Sequence, residues 1–226
     1  MGRLLVLEGL DGSGKSTQMG LLEKKLESRD IPYQRIKAPD YSSPSSALVT
    51  MYLNGEFGSH PNDVNAYAAS TFYAADRYAC FHNKWKQAYS DGKFVIADRY
   101  TTSNAIFQMP KLDRELWNSY LNWLEDFEYK KLGLPKPSLV IYLDIPVEIS
   151  QKLLEKRYAE DGGQKDVHEQ DYRYQMLCRD AAAYAAKSGG WERIPCAEGG
   201  ILRSAEDISN DIFQLVSTRL TEDFHL

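Results

Sequence analysis

The chain has 226 residues, 43% of them hydrophobic, and a net charge of −5. That length suits one α/β domain with a sizeable core, and the acidic balance argues against a long nucleic-acid polymer as the main partner. No apolar stretch reaches the ~18 residues of a membrane span, and the first strand starts too near Met1 to leave room for a signal peptide. Cys80, Cys178 and Cys196 are too widely spaced for a metal pattern and read as reduced, mostly buried thiols of a cytoplasmic protein.

Leu4 to Leu7 is an apolar run that reads as a buried parallel strand, and Leu21, Leu22 and Leu26 follow at helical spacing. Tyr33 to Lys37 reads as a second strand, and Pro39 to Ser46 as a loop. Tyr67 to Tyr89 has the length of one helix, stopped by Asp91-Gly92. Phe94 to Ala97 is a third strand, ending at Asp98-Arg99-Tyr100. Leu112 to Leu132 reads as one or two helices, and Leu139 to Leu143 as a fourth strand. Val147 to Arg157 is helical, Glu160 to Lys165 reads as a mobile polar loop, and Gln170 to Lys187 is helical again. Trp191 to Ile194 is a fifth strand, and Ala205 to Leu220 a last helix. No repeat or linker interrupts this order, so 1–226 reads as a single domain. Alternating strands and helices predict an α/β fold with three layers, a five-stranded parallel sheet covered by helices on both faces. Ligands of such folds bind beyond the carboxyl ends of the strands.

Between the first strand and the first helix stands Gly9-Leu10-Asp11-Gly12-Ser13-Gly14-Lys15-Ser16. It fits G-x-x-x-x-G-K-[ST], a phosphate-binding loop, in the strand–loop–helix setting that the pattern requires. Glycines let backbone amides approach a phosphate, and a helix N-terminus offers unpaired N–H groups to an anion. Lys15 can reach the β- and γ-phosphates, and the Ser16 hydroxyl can ligate Mg²⁺. The loop alone does not separate a kinase from a GTPase or a motor.

Four further segments do. Leu7-Glu8-Gly9-Leu10-Asp11-Gly12-Ser13-Gly14-Lys15-Ser16-Thr17-Gln18, Phe72-Tyr73-Ala74-Ala75-Asp76-Arg77, Asp98-Arg99-Tyr100-Thr101-Thr102-Ser103-Asn104-Ala105-Ile106-Phe107-Gln108 and Tyr142-Leu143-Asp144-Ile145-Pro146 resemble the thymidylate kinase family nearly end to end. The third is the most specific. The resemblance implies transfer of the ATP γ-phosphoryl group to dTMP with Mg²⁺, giving dTDP and ADP, in a homodimer formed by helix packing. The ATP site it implies runs over Gly9, Asp11, Gly12, Ser13, Gly14, Lys15, Ser16 and Thr17, with Ser16 and Asp98 at the metal.

The residues support the chemistry independently. An acceptor phosphate with a second pKa of about 6 is already anionic at neutral pH, so the task is to hold two anions together. Two unit charges 4 Å apart repel by about 4 kcal/mol at an effective dielectric of 20. Arg77 and Arg99 are the candidates for gripping that phosphate, because Arg forks match its oxygens; pairing with Asp76 or Asp98 is the alternative. The resemblance implies that Asp11 bonds the sugar 3′-hydroxyl, although an acid kept there for loop geometry is the plainer reading. It also implies that Tyr73 stacks on thymine, that Asn104 and Gln108 contact the base edge, that Ser103 belongs to the acceptor site, and that Phe107 crowds the sugar 2′ position. The alternative for Tyr73 and Phe107 is that they are ordinary core aromatics.

A lid is expected near 157–169. The phosphate loop carries no Arg, so Arg157 is the main candidate for the transition-state cation, with Lys165 second; a dipole-stabilised Arg at a helix end is the alternative. Three departures from the family pattern stand out. Ala38-Pro39-Asp40-Tyr41 lacks the usual Arg, leaving Tyr41 or Lys37 to serve the phosphate. Asp166-Val167-His168-Glu169 lacks a lid cation, and Ile106 replaces a small residue. His168 by itself reads as a surface or capping residue, and Trp117, Trp123 and Trp191 as core or interface. Two rivals remain at this level: a kinase for another deoxynucleoside monophosphate, and a nucleotide-sensing protein without turnover.

Overall fold

Five strands hydrogen-bond into one parallel sheet: β1 (Arg3–Gly9), β2 (Tyr33–Lys37), β3 (Phe94–Asp98), β4 (Leu139–Asp144) and β5 (Glu192–Pro195), in the order β2-β3-β1-β4-β5. The computed structural model describes residues 2–161, 168–169 and 171–220. Helices α1 (Lys15–Glu27), α2 (Ala47–Leu53), α3 (Ala66–Cys80), α4 (Lys86–Ser90), α5 (Thr102–Phe107), α6 (Trp117–Glu125), α7 (Val147–Asp161), α8 (Tyr172–Gly189) and α9 (Ala205–Leu220) connect and cover the strands. In the central strand Leu5 lies opposite Ile96 of β3 and Leu139 of β4.

Side chains alternate across a strand, so β1 feeds two cores. Leu5 and Leu7 pack with Met19, Leu22 and Leu26 of α1 and with Ile208, Ile212 and Val216 of α9. Leu4 and Val6 point the other way, to Phe81, Trp85 and Tyr100. A third cluster, Leu10, Ile106, Phe107, Val147, Tyr174 and Cys178, packs α5, α7 and α8 beneath the carboxyl ends of the strands. The five expected strands, the three layers and the last helix are all present. The three cysteines are buried free thiols.

Four features depart from the expectation. The stretch read as one helix over Tyr67 to Tyr89 widens into a π-turn at Phe81–Trp85, between α3 and α4. The extra residue in that turn lets Phe81 and Trp85 both face the sheet, at 6% and 1% exposure. A second π-turn, Asp126–Lys131, follows α6 and turns Glu128 fully inward. Helices α2 and α5 are too short to leave a periodic signal. Ala197–Glu198 (β6) and Ile201–Leu202 (β7) form a small hairpin whose turn residues, Gly199 and Gly200, take positive φ.

Candidate active site

β1 leaves the sheet at Gly9 and turns over into α1. Gly12 and Gly14 hold φ of +76° and +82°, where a side chain would be strained. A Cβ on Gly12 would also lie 2.3 Å from the Ser150 carbonyl oxygen of α7. The first-turn N–H groups of α1 lack intrahelical partners and carry the positive end of its dipole. Lys15 is buried, and its Nζ donates to the carbonyls of Gly9 at 2.9 Å and Leu10 at 2.8 Å. Burial and the nearby Arg99 lower its pKa to about 8, against the pull of Asp11, Asp98 and Glu8. Ser16 and Thr17 stand exposed on the same turn.

Arg99 follows β3 with a φ of +70°, which only glycine adopts freely. Its surroundings hold it there. The backbone N–H donates to Leu7 O at 3.2 Å, and one guanidinium nitrogen donates to Asp11 Oδ1 at 2.5 Å. The guanidinium lies 4.7 Å over the Phe107 ring. Burial alone would lower the Arg99 pKa, but Asp11, Glu8 and Asp98 raise it. Burial likewise pushes Asp11 up, while Arg99 and Lys15 prevail and bring it below the ordinary carboxylate value. Glu8, inaccessible to solvent, accepts from Thr102 Oγ1 at 2.7 Å and Ser103 Oγ at 2.9 Å, tying the start of α5 to the loop. Its pKa is raised by burial, with Arg99 opposing. Asp98 is buried at the end of β3, 4.0 Å from the Arg35 guanidinium.

Asp11 and Arg99 also belong to a cavity of ≈ 70 Å³ next to the loop. Tyr41, Tyr73, Arg77, Ser103, Asn104, Phe107 and Gln108, the remaining residues expected at the acceptor, all line it. Within it Gln108 Oε1 is a buried acceptor without a hydrogen-bond partner among the described residues. A larger groove of ≈ 650 Å³, bounded by Leu121, Glu125, Trp191 and Arg219, shares no lining residue with the loop or this cavity.

Arg77 pairs with neither Asp76 nor Asp98, the alternative partners that the sequence offered. Asp76 instead accepts from the Asp40 backbone N–H at 2.8 Å and Ser45 Oγ at 2.6 Å. The Arg77 fork closes on Glu128, at 2.7 Å from Nε and 2.5 Å from a terminal nitrogen, with both side chains buried. Burial lowers the Arg77 pKa and Glu128 more than restores it. Glu128 comes from the π-turn 51 residues along the chain, a distance no local pattern bridges.

The family profile of thymidylate kinase matches residues 7–192, which takes in the loop, the cavity and the Asp98–Gln108 segment. The chain belongs to the thymidylate kinase family. It is 30% identical to the thymidylate kinase of Mycobacterium tuberculosis over 192 residues, covering 83% of this chain and 87% of that one. It is 31% identical to the probable thymidylate kinase of Thermococcus gammatolerans over 223 residues, covering 97% and 98%. A solved thymidylate kinase of Candida albicans superposes with a TM-score of 0.69, at 24% identity over 96% of this chain and 92% of that one, which bears on the fold. Membership makes the protein an ATP-dependent kinase.

Among the residues outside the family motifs, His168 departs furthest from expectation. It is neither a surface nor a capping residue but 4% exposed, in the wall of the same cavity. Its ring lies parallel to Phe107, centroids 5.9 Å apart, and Nε2 meets Tyr52 Oη at 2.6 Å. The same Tyr52 oxygen accepts from Lys111 Nζ at 2.8 Å. Burial, Lys111 and Arg99 lower the His168 pKa to about 3, against Asp11. Between about pH 6.5 and 3 the unfolded chain therefore binds a proton here that the fold excludes, and stability falls as pH drops through that window. Chemical denaturation at pH 7 and pH 4.5 should show a smaller acid loss for His168→Phe than for the natural chain; equal losses would contradict a buried neutral imidazole.

Arg157 Nη2 donates to Tyr158 Oη at 2.9 Å and to Glu169 Oε1 at 3.3 Å. Its charge contributes to lowering the Asp11 pKa, so its field reaches the loop. Lys165, the second lid cation expected, lies outside the described residues. No local pattern marks Tyr52, Lys111 or Glu128 for the roles they take in this site. Glu8, inside the first matched segment, carried a local signal.

Proposed function

We propose that this member of the thymidylate kinase family transfers the γ-phosphoryl group of ATP to the 5′-phosphate of dTMP, releasing ADP and dTDP. The observation that carries the reading is the Arg99–Asp11 pair, 2.5 Å apart, which belongs to the phosphate loop and to the neighbouring cavity at once. It sets the donor phosphates and the acceptor phosphate on either side of one guanidinium. An acceptor oxygen attacks the γ-phosphorus while the bond to the β–γ bridging oxygen breaks and ADP leaves. No base is required of the protein, because the acceptor is already a dianion above pH ~6. Lys15, the α1 N-terminus and Arg99 bind, align and neutralise the two anions.

The polar groups fit Mg²⁺. No cluster of three or more His, Cys, Asp or Glu suited to a metal occurs among the described residues, which accords with an ion that keeps waters and takes most ligands from phosphates. Ser16, exposed on the first turn, and Asp98, through water, would hold it. When bound, the ion supplies neutralisation of the phosphate oxygens. In the lid, Arg157 would supply the remaining transition-state charge on leaving Glu169.

At the acceptor, Arg99 rather than Arg77 serves the phosphate in our reading, because Glu128 already neutralises Arg77. Arg77 and Asn104 instead read the base edge. Asn104 Nδ2 donates to Glu128 Oε1 at 3.1 Å and to Ser70 O at 3.4 Å, so Oδ1 is the atom left for the cavity. Gln108 Oε1 awaits a donor in the same wall. Tyr73 stacks on the ring, Tyr41 assists the phosphate, Ser103 holds the wall through Glu8, and Asp11 accepts from the 3′-hydroxyl. Phe107 faces the sugar, and Phe107→Ala should raise kcat/KM for UMP relative to dTMP by about 10-fold or more, the scale of one lost steric contact. An unchanged ratio would remove Phe107 from that role.

A cytoplasmic homodimer completes the reading, supported by three free thiols and by family membership; sedimentation at micromolar concentration tests the dimer. The decisive assay is ADP release with ATP and Mg²⁺ against dTMP, dUMP, UMP, dCMP, dGMP, dAMP and thymidine. Preference for dTMP upholds the proposal. Another preferred monophosphate would keep the chemistry and shift the substrate; nucleotide binding without any turnover would point to a sensor.

A further inference from the structure

Glu128 lies behind the acceptor cavity and does not line it. Its two oxygens nevertheless take four donors: Arg77 Nε at 2.7 Å and Thr101 Oγ1 at 2.8 Å on Oε2, Arg77 Nη2 at 2.5 Å and Asn104 Nδ2 at 3.1 Å on Oε1. A carboxylate only accepts. Turning the Asn104 amide over would set its oxygen against Glu128 Oε1 and Ser70 O, acceptor against acceptor, at a site of 2% exposure. The amide polarity is thus decided by its acceptors, chiefly Glu128 at 3.1 Å with the Ser70 carbonyl at 3.4 Å, and not by Asn104 itself. The same carboxylate holds one edge of the Arg77 fork, Nε and Nη2, and leaves Nη1, 3.4 Å from Tyr100 O, as the nitrogen it does not bind, in a residue that lines the cavity.

We propose that Glu128 is a positioning residue for base selection, fixing an acceptor at Asn104 Oδ1 beside a donor at Arg77 so that the wall takes a 2,4-dioxopyrimidine and refuses a 4-aminopyrimidine. This rests on the base-edge reading of Asn104 and Arg77 given above. A dioxopyrimidine offers an N–H donor next to a carbonyl acceptor, which matches both wall groups. An aminopyrimidine offers the reverse and would leave two buried polar pairs unmade, the situation that gives strong discrimination.

Glu128→Gln tests it. An amide nitrogen in place of Oε1 can accept from neither Asn104 Nδ2 nor Arg77 Nη2, so it releases both wall groups and frees Asn104 to turn over and donate into the cavity. The expected result is a fall of about 10-fold or more in the ratio of kcat/KM for dTMP to that for dCMP, with KM for ATP unchanged and the ratio recovered in part by Glu128→Asp. A Glu128→Gln enzyme weakened equally toward both nucleotides would make the residue merely structural and overturn the proposal. Loss of preference already in the natural enzyme would instead overturn the base-edge reading beneath it. Should the variant fail to fold, the Asn104 side-chain N–H signals of the natural enzyme decide. Slow exchange with solvent supports an amide locked on Glu128; fast exchange refutes it.

Discussion

Lys15→Ala is expected to lower kcat/KM for ADP formation by ~10³-fold or more, the scale of removing a preorganised charge from a phosphoryl-transfer site. The buried ammonium sits on the carbonyls of Gly9 and Leu10, within the loop that would embrace the donor phosphates. Its pKa of about 8 keeps it mostly protonated at pH 7 while marking how strongly the surroundings desolvate it. Desolvation is what makes the charge effective, since a cation in a water-poor pocket acts on a phosphate with little screening. The fold should survive. The loop is held by the Gly12 and Gly14 conformations and by the packing of Leu10 in its cluster, so the melting temperature should move by no more than ~5 °C. Steady-state kinetics beside a thermal melt make the check. Near-normal turnover in a folded variant would remove the loop from the reaction.

The second large effect belongs to Arg99. Arg99→Ala and Arg99→Gly should each reduce kcat/KM by ~10²–10³-fold, because both delete the guanidinium that joins Asp11 to the acceptor cavity. The two variants should part company in stability. Both lose the ion pair with Asp11 and the contact with Phe107, so their difference isolates the backbone. At a φ of +70° alanine bears a cost of about 1–2 kcal/mol that glycine escapes, and the glycine variant should be the more stable by about that amount in urea unfolding. Equal stabilities would mean that the chain relaxes out of the left-handed conformation once the side chain is gone. Strain held in place by a substrate-facing ion pair is the pattern expected where a fold gives up stability for geometry.

Much of this was readable before any coordinates. The five strands came from apolar runs such as Phe94 to Ala97 and Leu139 to Leu143, which are unbroken because both faces of a parallel sheet are covered. The phosphate loop was readable because its chemistry is local: eight consecutive residues meet one anion. The residues that the resemblance implies for the acceptor line one cavity. Short or irregular pieces were not readable. Helix α5 has six residues and α2 seven, fewer than two turns, and a π-turn such as Asp126–Lys131 differs from an α-helix by a single residue per turn.

Partner choice was the other thing out of reach. Arg77 has an acid at the adjacent position, Asp76, yet a carboxylate 51 positions away takes its fork, because the π-turn is what delivers Glu128 to a dry pocket where an unpaired guanidinium would be costly. His168 looked like a surface residue by type and setting; packing against Phe107, Tyr52 and Tyr174 puts it in the cavity wall and keeps it neutral. Local order and short-range motifs, which depend on neighbours in the chain, were determined by the sequence alone: the sheet, the loop and the reaction class. Which charges are neutralised, which way a buried amide is turned and which pKa values move depend on groups brought together from distant segments and stripped of water, and those were decided only by the tertiary structure.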